Sequence, residues 1–359
     1  MMCIVHAFVV SHESRSELTD VGKQITFIAI WILLTALLTA AATLLPAELP
    51  LAFDWLTFFE HAHNIPAFYP PWTGLVCRWL SWPLLVGVTL SSYAVAVLKR
   101  ARSPVSAMAA FLAMPLWWAL FLGQLDGLAL LGVLGLPWLV PLALMKPQVA
   151  AFGIFAQRKT PTVAVSCLLL SFAVWGLWPA KMATYHSEPG LWPQDVALGL
   201  LGLPLAFWAL WRIPGWDVDK LMLAGAFITP RLIPYNLLPL MPALARQPWL
   251  WALTAALASW LPLLANWLGP WAWWLAWVSP LVILIGSTTG ISGKWLWLYY
   301  HSPHQRRRRR SPGRATPASL PPSTTRPSPS PSSTPSTAAS AKSKPPSTPP
   351  TRSTASAST

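Results

Sequence analysis

Apolar runs on the scale of a bilayer crossing recur along this chain, and almost no charge interrupts them. Residues 25–45, 163–180, 196–211, 249–268 and 271–291 are the clearest. A helix needs ~20 apolar residues to cross the hydrocarbon. In lipid a backbone must satisfy its own N–H and C=O groups, so only helices and closed barrels cross. A barrel requires period-two alternation in ~10-residue segments, and these runs show none. Charged residues make up 10% of the 359, against ~25% in soluble domains. The expected fold is therefore an all-α polytopic membrane helical bundle of about ten to twelve helical segments.

Charge placement divides the chain into three parts. Residues 301–359 hold ten Lys or Arg and no acid, so most of the net charge of +14 belongs to the C-terminal tail. Its Pro/Ser/Thr/Ala composition cannot bury a core and predicts disorder. The run from Arg306 to Arg310 follows the last apolar stretch directly. It suits anionic membrane lipid, at about 1 kcal/mol per basic residue. It has none of the interleaved aromatics that single-stranded nucleic acid would use. Residues 1–24 form an N-terminal segment expected on the cytoplasmic side, and 25–300 the membrane domain. Placing Lys23, Lys99, Arg100, Arg102, Arg158, Arg212, Lys220, Arg246 and the tail on the cytoplasmic side gives one consistent parity. Several runs, at 137–145, 147–156, 221–229 and 236–245, are then too short to span alone. They read as broken or re-entrant pairs sheltered by neighbours.

That parity collects the polar residues of the apolar region on the opposite, extracytoplasmic side. Ionisable groups near membrane depth are expensive and mark sites or pathways. Asp54 lies just beyond the first run, in a loop that continues through Glu60, His61 and His63 to Tyr69-Pro70-Pro71-Trp72. A carboxylate there can act as a general base on a hydroxyl; it is equally a solvated loop acid. Glu60, His61 and His63 are possible assistants. The His-Ala-His spacing lacks the helical i, i+4 pattern of a zinc pair, so no metal is assigned. Gln124 can offer donors and acceptors to sugar hydroxyls. Asp126 can join it, cap the following helix, or do both. Lys146-Pro147 and Thr229-Pro230-Arg231 each place one cation at a helix break. Two such breaks suggest an anionic ligand between them, although snorkelling accounts for either cation alone. Tyr235 and Asn236 follow the second break. Cys3, Cys77 and Cys167 show no paired spacing. No phosphate-loop or zinc-protease motif occurs.

Three pieces, in this order, carry a resemblance. They are Asp54 with Tyr69-Pro70-Pro71, Gly123-Gln124 with Lys146-Pro147, and Thr229-Pro230 leading to Tyr235-Asn236-Leu237-Leu238-Pro239. Over roughly residues 25–300 the chain resembles the GT-C superfamily of integral-membrane glycosyltransferases, and most closely glycosyltransferase family 87. The resemblance implies a polyprenyl-phosphate-linked hexose donor, such as mannose, and an extracytoplasmic lipid or glycan acceptor. It implies no cofactor and a plasma (inner) membrane location. It makes Asp54 the base of an inverting transfer, places Lys146 near the donor phosphate and sets Gln124 on substrate. Arg231 joins Lys146 on grounds of charge and position, and Tyr69, Asp126, Tyr235 and Asn236 complete the expected binding site. The chain departs from the family in its short loop between Asp54 and Tyr69, and in Thr229 where many members have serine. The alternatives are a transporter or flippase for a lipid-linked or anionic solute, and a catalytically inactive membrane scaffold.

Overall fold

A computed structural model of the chain describes residues 19–46, 49, 51–60, 69–180, 193–213 and 217–288. All belong to the first of two units, Met1–Arg306. The second, Arg307–Thr359, lies outside the described residues, as do the arginine run from Arg306 to Arg310 and the loop histidines His61 and His63.

Among the described residues there is no strand. The chain runs through α1 (Thr19–Thr43), a π-helical turn Trp55–Phe59, α2 (Trp72–Cys77), α3 (Trp82–Arg100), α4 (Pro104–Phe111), α5 (Met114–Leu122) and α6 (Asp126–Leu134). Then come α7 (Val140–Met145), α8 (Pro147–Ala150) with its 3-10 extension Ala151–Ala156, α9 (Thr160–Trp175), α10 (Leu203–Arg212) and α11 (Val218–Ile228). A 3-10 segment Pro234–Arg246 precedes α12 (Trp249–Ala258), and α13 (Ala265–Leu268), the 3-10 segment Pro270–Trp277 and α14 (Val278–Thr288) follow.

Five helical stretches among the described residues are long and apolar enough to cross a membrane: Gln24–Thr43, Trp82–Arg100, Pro104–Leu122, Trp249–Leu268 and Pro270–Thr288. The molecule is a polytopic all-α membrane bundle. Its outer surface agrees, because Ile25, Ile28, Ile32, Leu33 and Leu37 of α1 all stand exposed. Apolar surface of that extent suits lipid and not water.

Proline accounts for the fragmentation. Pro83, Pro104, Pro115, Pro141, Pro147, Pro161 and Pro204 each sit in the first turn of a helix. There the missing N–H costs no hydrogen bond and the fixed φ favours a start. Ser81 and Ser103 cap α3 and α4 through Leu84 N and Ser106 N. Several expected boundaries move as a result. Residues 72–100 are not one helix: the stretch breaks before Ser81, and only Trp82–Arg100 is long. The run at 196–211 is not a continuous span. Val196 is extended and donates its N–H to Leu232 O at 2.8 Å, and α10 begins only at Leu203. The segment at 236–245 is 3-10 rather than α, since Pro239 and Pro242 delete the donors that an α-helix would need.

Small and hydroxyl side chains let the helices approach. Thr35 Oγ1 meets Ser91 Oγ at 2.6 Å, and Trp31 Nε1 donates to Ser92 Oγ at 3.0 Å, joining α1 to α3. Gly123 ends α5 with φ +74. A Cβ there would lie 2.6 Å from Trp55 Cβ. The loop after α1 docks on that glycine, with Ala52 N–H on Phe121 O at 2.7 Å. Gly123→Ala is expected to destabilise the protein by about 2–4 kcal/mol, combining the left-handed penalty with overpacking. Denaturant unfolding of the full chain in detergent measures it; a change under 0.5 kcal/mol would mean the loop is not seated there.

Candidate functional site

The site begins with the docked loop. Trp55 and Phe59 lie one helical turn apart and are buried, each 1% exposed, which pins the π-helical turn. Such turns recur at functional sites. Ala52, just upstream, holds a left-handed φ of +62. A non-glycine residue in that region is strained and persists only when its surroundings fix it. Asp54 stands at the N-terminal edge of the turn, half-buried.

From Asp54 a chain of side-chain contacts runs inward. Gln124, held by the turn after Gly123, donates its amide to Asp54 Oδ2. Lys146 Nζ donates to Gln124 Oε1. The same ammonium donates to Asp126 Oδ2 at 2.5 Å. Asn236 Nδ2 reaches Asp126 Oδ1 at 3.2 Å, while its own Oδ1 accepts the Ile233 N–H at 3.0 Å. Tyr235 lays its ring under Lys146, with Nζ 4.4 Å from the centroid. Gln124, Asp126, Lys146 and Asn236 are each under 5% exposed. Charges in such surroundings must be paired and hydrogen-bonded, and these are.

Each residue arrives by a different route. Lys146 sits between α7 and α8, where Pro147 forbids a continuous helix. Gly132 lets α6 and α7 pack against each other; a Cβ there would collide with the Ala143 backbone. That contact returns Lys146 to Asp126, which opens α6. Asn236 arrives at the start of the 3-10 segment Pro234–Arg246. Tyr69 packs edge-on against Phe59 at 5.2 Å and lies within electrostatic reach of Asp54, Asp126 and Tyr235. Asp54, Tyr69, Gln124, Asp126, Lys146, Tyr235 and Asn236 thus converge from well-separated parts of the sequence.

Arg231 stands beside this group, within electrostatic reach of Lys146 and Tyr235, and pairs with Asp195 at 4.0 Å. Asp195 belongs to the polar residues that charge parity collects on the extracytoplasmic side, but is not among the expected site residues. Its Oδ1 accepts the N–H groups of Leu232 at 2.9 Å and Ala197 at 3.2 Å, and so fixes the strand-like approach to Tyr235. The Ala197 contact is local, two residues on, but Leu232 lies 37 residues away and nothing near Asp195 announces it. One expectation is corrected: Asp126 does not cap α6. The N-cap is Leu125, and the Asp126 carboxylate is turned to Lys146 and Asn236 instead. Glu60 is exposed at the end of the π-helical turn, where its backbone N–H donates to Trp55 O. His61 and His63 lie outside the described residues. Among the described residues no cluster of metal-ligating side chains forms.

Burial raises the Asp54 carboxyl above its ordinary range, and the Gln124 amide and Lys146 ammonium only partly offset it. A carboxylate shifted that way is a better proton acceptor near neutral pH. Lys146 is committed to three partners, so its charge serves the site mainly as an internal counter-charge. Arg231 is the more accessible cation.

A second cluster occupies the residues that charge parity placed on the other side. Asp219 accepts from Arg100 Nε at 2.9 Å and pairs with Arg246 at 3.1 Å, and Asp217 pairs with Arg246 at 2.8 Å. The two sets predicted to face opposite sides therefore form separate clusters.

Removing one partner of the buried pair leaves an uncompensated charge. Lys146→Met is expected to cost about 3–5 kcal/mol. Lys146→Met combined with Asp126→Leu is expected to recover most of that loss, since an apolar pair of similar volume is often neutral. Unfolding of the three variants in detergent tests this, and additive losses would show that the two side chains do not interact. No protein family, curated protein or solved structure matches the chain.

Proposed function

We propose that the chain is a membrane glycosyltransferase that moves a hexose from a polyprenyl-phosphate donor to an acceptor hydroxyl on the extracytoplasmic face of the plasma membrane. The observation that carries this reading is the continuous chain Asp54–Gln124–Lys146–Asp126–Asn236. In it a half-buried carboxylate of raised pKa ends a fully paired polar network.

Each part has a role in such a transfer. Asp54 accepts the proton of the acceptor hydroxyl as oxygen attacks the anomeric carbon. Gln124 holds the carboxylate in place and lowers its proton affinity by donating to it. Arg231, with Lys146 behind it, stabilises the departing phosphate. Preorganised charge aimed at a leaving group is commonly the largest catalytic contribution. Tyr69, Tyr235 and Asn236 shape the space between base and cation.

Asp54→Asn keeps shape but accepts no proton, and loss of general-base help lowers rate roughly 10²–10⁴-fold. Transfer of labelled hexose from a polyprenyl-phosphate donor by membranes carrying either form is the assay, with mannose tried first. Wild-type transfer by Asp54→Asn would remove Asp54 from the chemistry.

Rate should also fall as pH drops through the raised Asp54 pKa. Gln124→Leu removes a hydrogen bond to the ionised form, so the acid limb is expected to move to higher pH. An unmoved limb would assign that ionisation to another group.

Sidedness is tested separately. A cysteine at exposed Glu60 is expected to react with an impermeant thiol reagent in intact cells, and one at exposed Arg102 is not. The reverse pattern overturns the orientation.

A further inference from the structure

Of the ion pairs described above, one stands apart. Arg100 with Asp219, Lys146 with Asp126, and Arg246 with Asp217 and Asp219 all close to 2.5–3.1 Å. Arg231 Nε stands 4.0 Å from Asp195 Oδ2. That is a contact between charges, beyond the reach of an N–H···O hydrogen bond.

The acid of this pair is fixed and the cation is not. Asp195 Oδ1 already accepts two backbone N–H groups, from Leu232 at 2.9 Å and Ala197 at 3.2 Å. The backbone behind it is pinned in turn. Val196 N–H donates to Leu232 O at 2.8 Å, and the buried Trp277 indole donates to Val196 O at 2.8 Å. The carboxylate therefore cannot follow a guanidinium that moves. Arg231 is anchored at its backbone, beside Leu232, but carries its charge on a long side chain that is 25% exposed. Lys146, the other cation of the site, is held by Gln124 and Asp126 over the Tyr235 ring. Of the two, Arg231 is the one that can change partner.

A fixed acid this close to an arginine works against any other anion the arginine receives, since both draw on one guanidinium and repel each other. We propose that Asp195 is a resident counter-ion that competes with phosphate for Arg231. The guanidinium turns from Asp195 to an entering phosphate and returns to Asp195 as the phosphate leaves. Asp195 is then a positioning residue that acts through Arg231 and speeds release of the product phosphate. The release role rests on the glycosyltransferase reading; the exchange of anions on Arg231 does not.

The test is binding of inorganic phosphate and of geranyl phosphate to the purified full-length chain in detergent, followed by the phosphorus NMR signal. Asp195→Asn keeps an oxygen for the two N–H groups and removes the charge. It is expected to lower the phosphate Kd about fivefold at low salt, the worth of one exposed charge pair, and by less at high salt. Asp195→Ser also lacks the charge and keeps a local acceptor for Ala197, so it is expected to show the same gain. Arg231→Gln is expected to lose binding, and Asp195→Asn to restore none of it in that background. Asp217→Asn removes an acid from the other cluster and is expected to bind as wild type. In the transfer assay Asp195→Asn is expected to lower KM and kcat together, because a phosphate held more tightly leaves more slowly.

Phosphate binding that is unchanged or weaker in both Asp195 variants overturns the proposal, as does an equal gain in Asp217→Asn or in the Arg231→Gln background. Absence of binding by both probes in every form overturns it too. Binding of geranyl phosphate alone marks a lipid phosphate as the exchanging anion, and binding of inorganic phosphate alone marks a free one. A kcat that holds while binding tightens removes the release role. Asp195-sensitive binding by a chain that transfers no hexose would keep the counter-ion exchange and remove the enzymatic reading.

Discussion

The ion pair between Lys146 and Asp126 is the interaction on which the rest of the site depends. Two opposite charges buried to a few per cent exposure stay charged only while each is held by the other and by further hydrogen bonds. Meeting that condition draws in Gln124 on one side and Asn236 on the other. Gln124 reaches outward to Asp54, and Asn236 ties down the Ile233 backbone. The network is thus both an interior polar core of the bundle and the support of the half-buried Asp54 carboxylate.

The surrounding architecture serves that pair. A straight helix through residues 140–156 would carry Lys146 past Asp126. Pro147 breaks it at the right place, and Gly132 admits the returning turn. Likewise the 3-10 segment Pro234–Arg246 spans from Asn236 at the site to Arg246 in the distant ionic cluster. One stretch of backbone therefore anchors both clusters, and α3 adds a second link through Arg100.

Much of this was legible in the sequence, and what was not has physical reasons. The fold class follows from long apolar runs with few charges. The site residues could be named because polar groups are rare in such runs, so Asp54, Gln124, Asp126, Lys146 and Asn236 stood out individually. Boundaries were poorer. Apolar length says nothing about where Ser81 caps a helix or where Pro239 and Pro242 turn one into 3-10. Asp126 looked like a cap because caps are local, whereas its partners lie 20 and 110 residues away. Asp195 was left out of the expected site for the same reason: its importance is set by a contact far off in the chain.

A network in which every polar group is satisfied by its neighbour also constrains how such a chain can drift over generations. Lys146 alone is an unpaired charge, Asp126 without Asn236 has one oxygen unsatisfied, and Gln124 without Lys146 presents a bare carbonyl to an apolar interior. Single replacements at these positions pass through a destabilised intermediate, so selection sees them as one heritable block. Replacement of the whole block by apolar residues would avoid that intermediate.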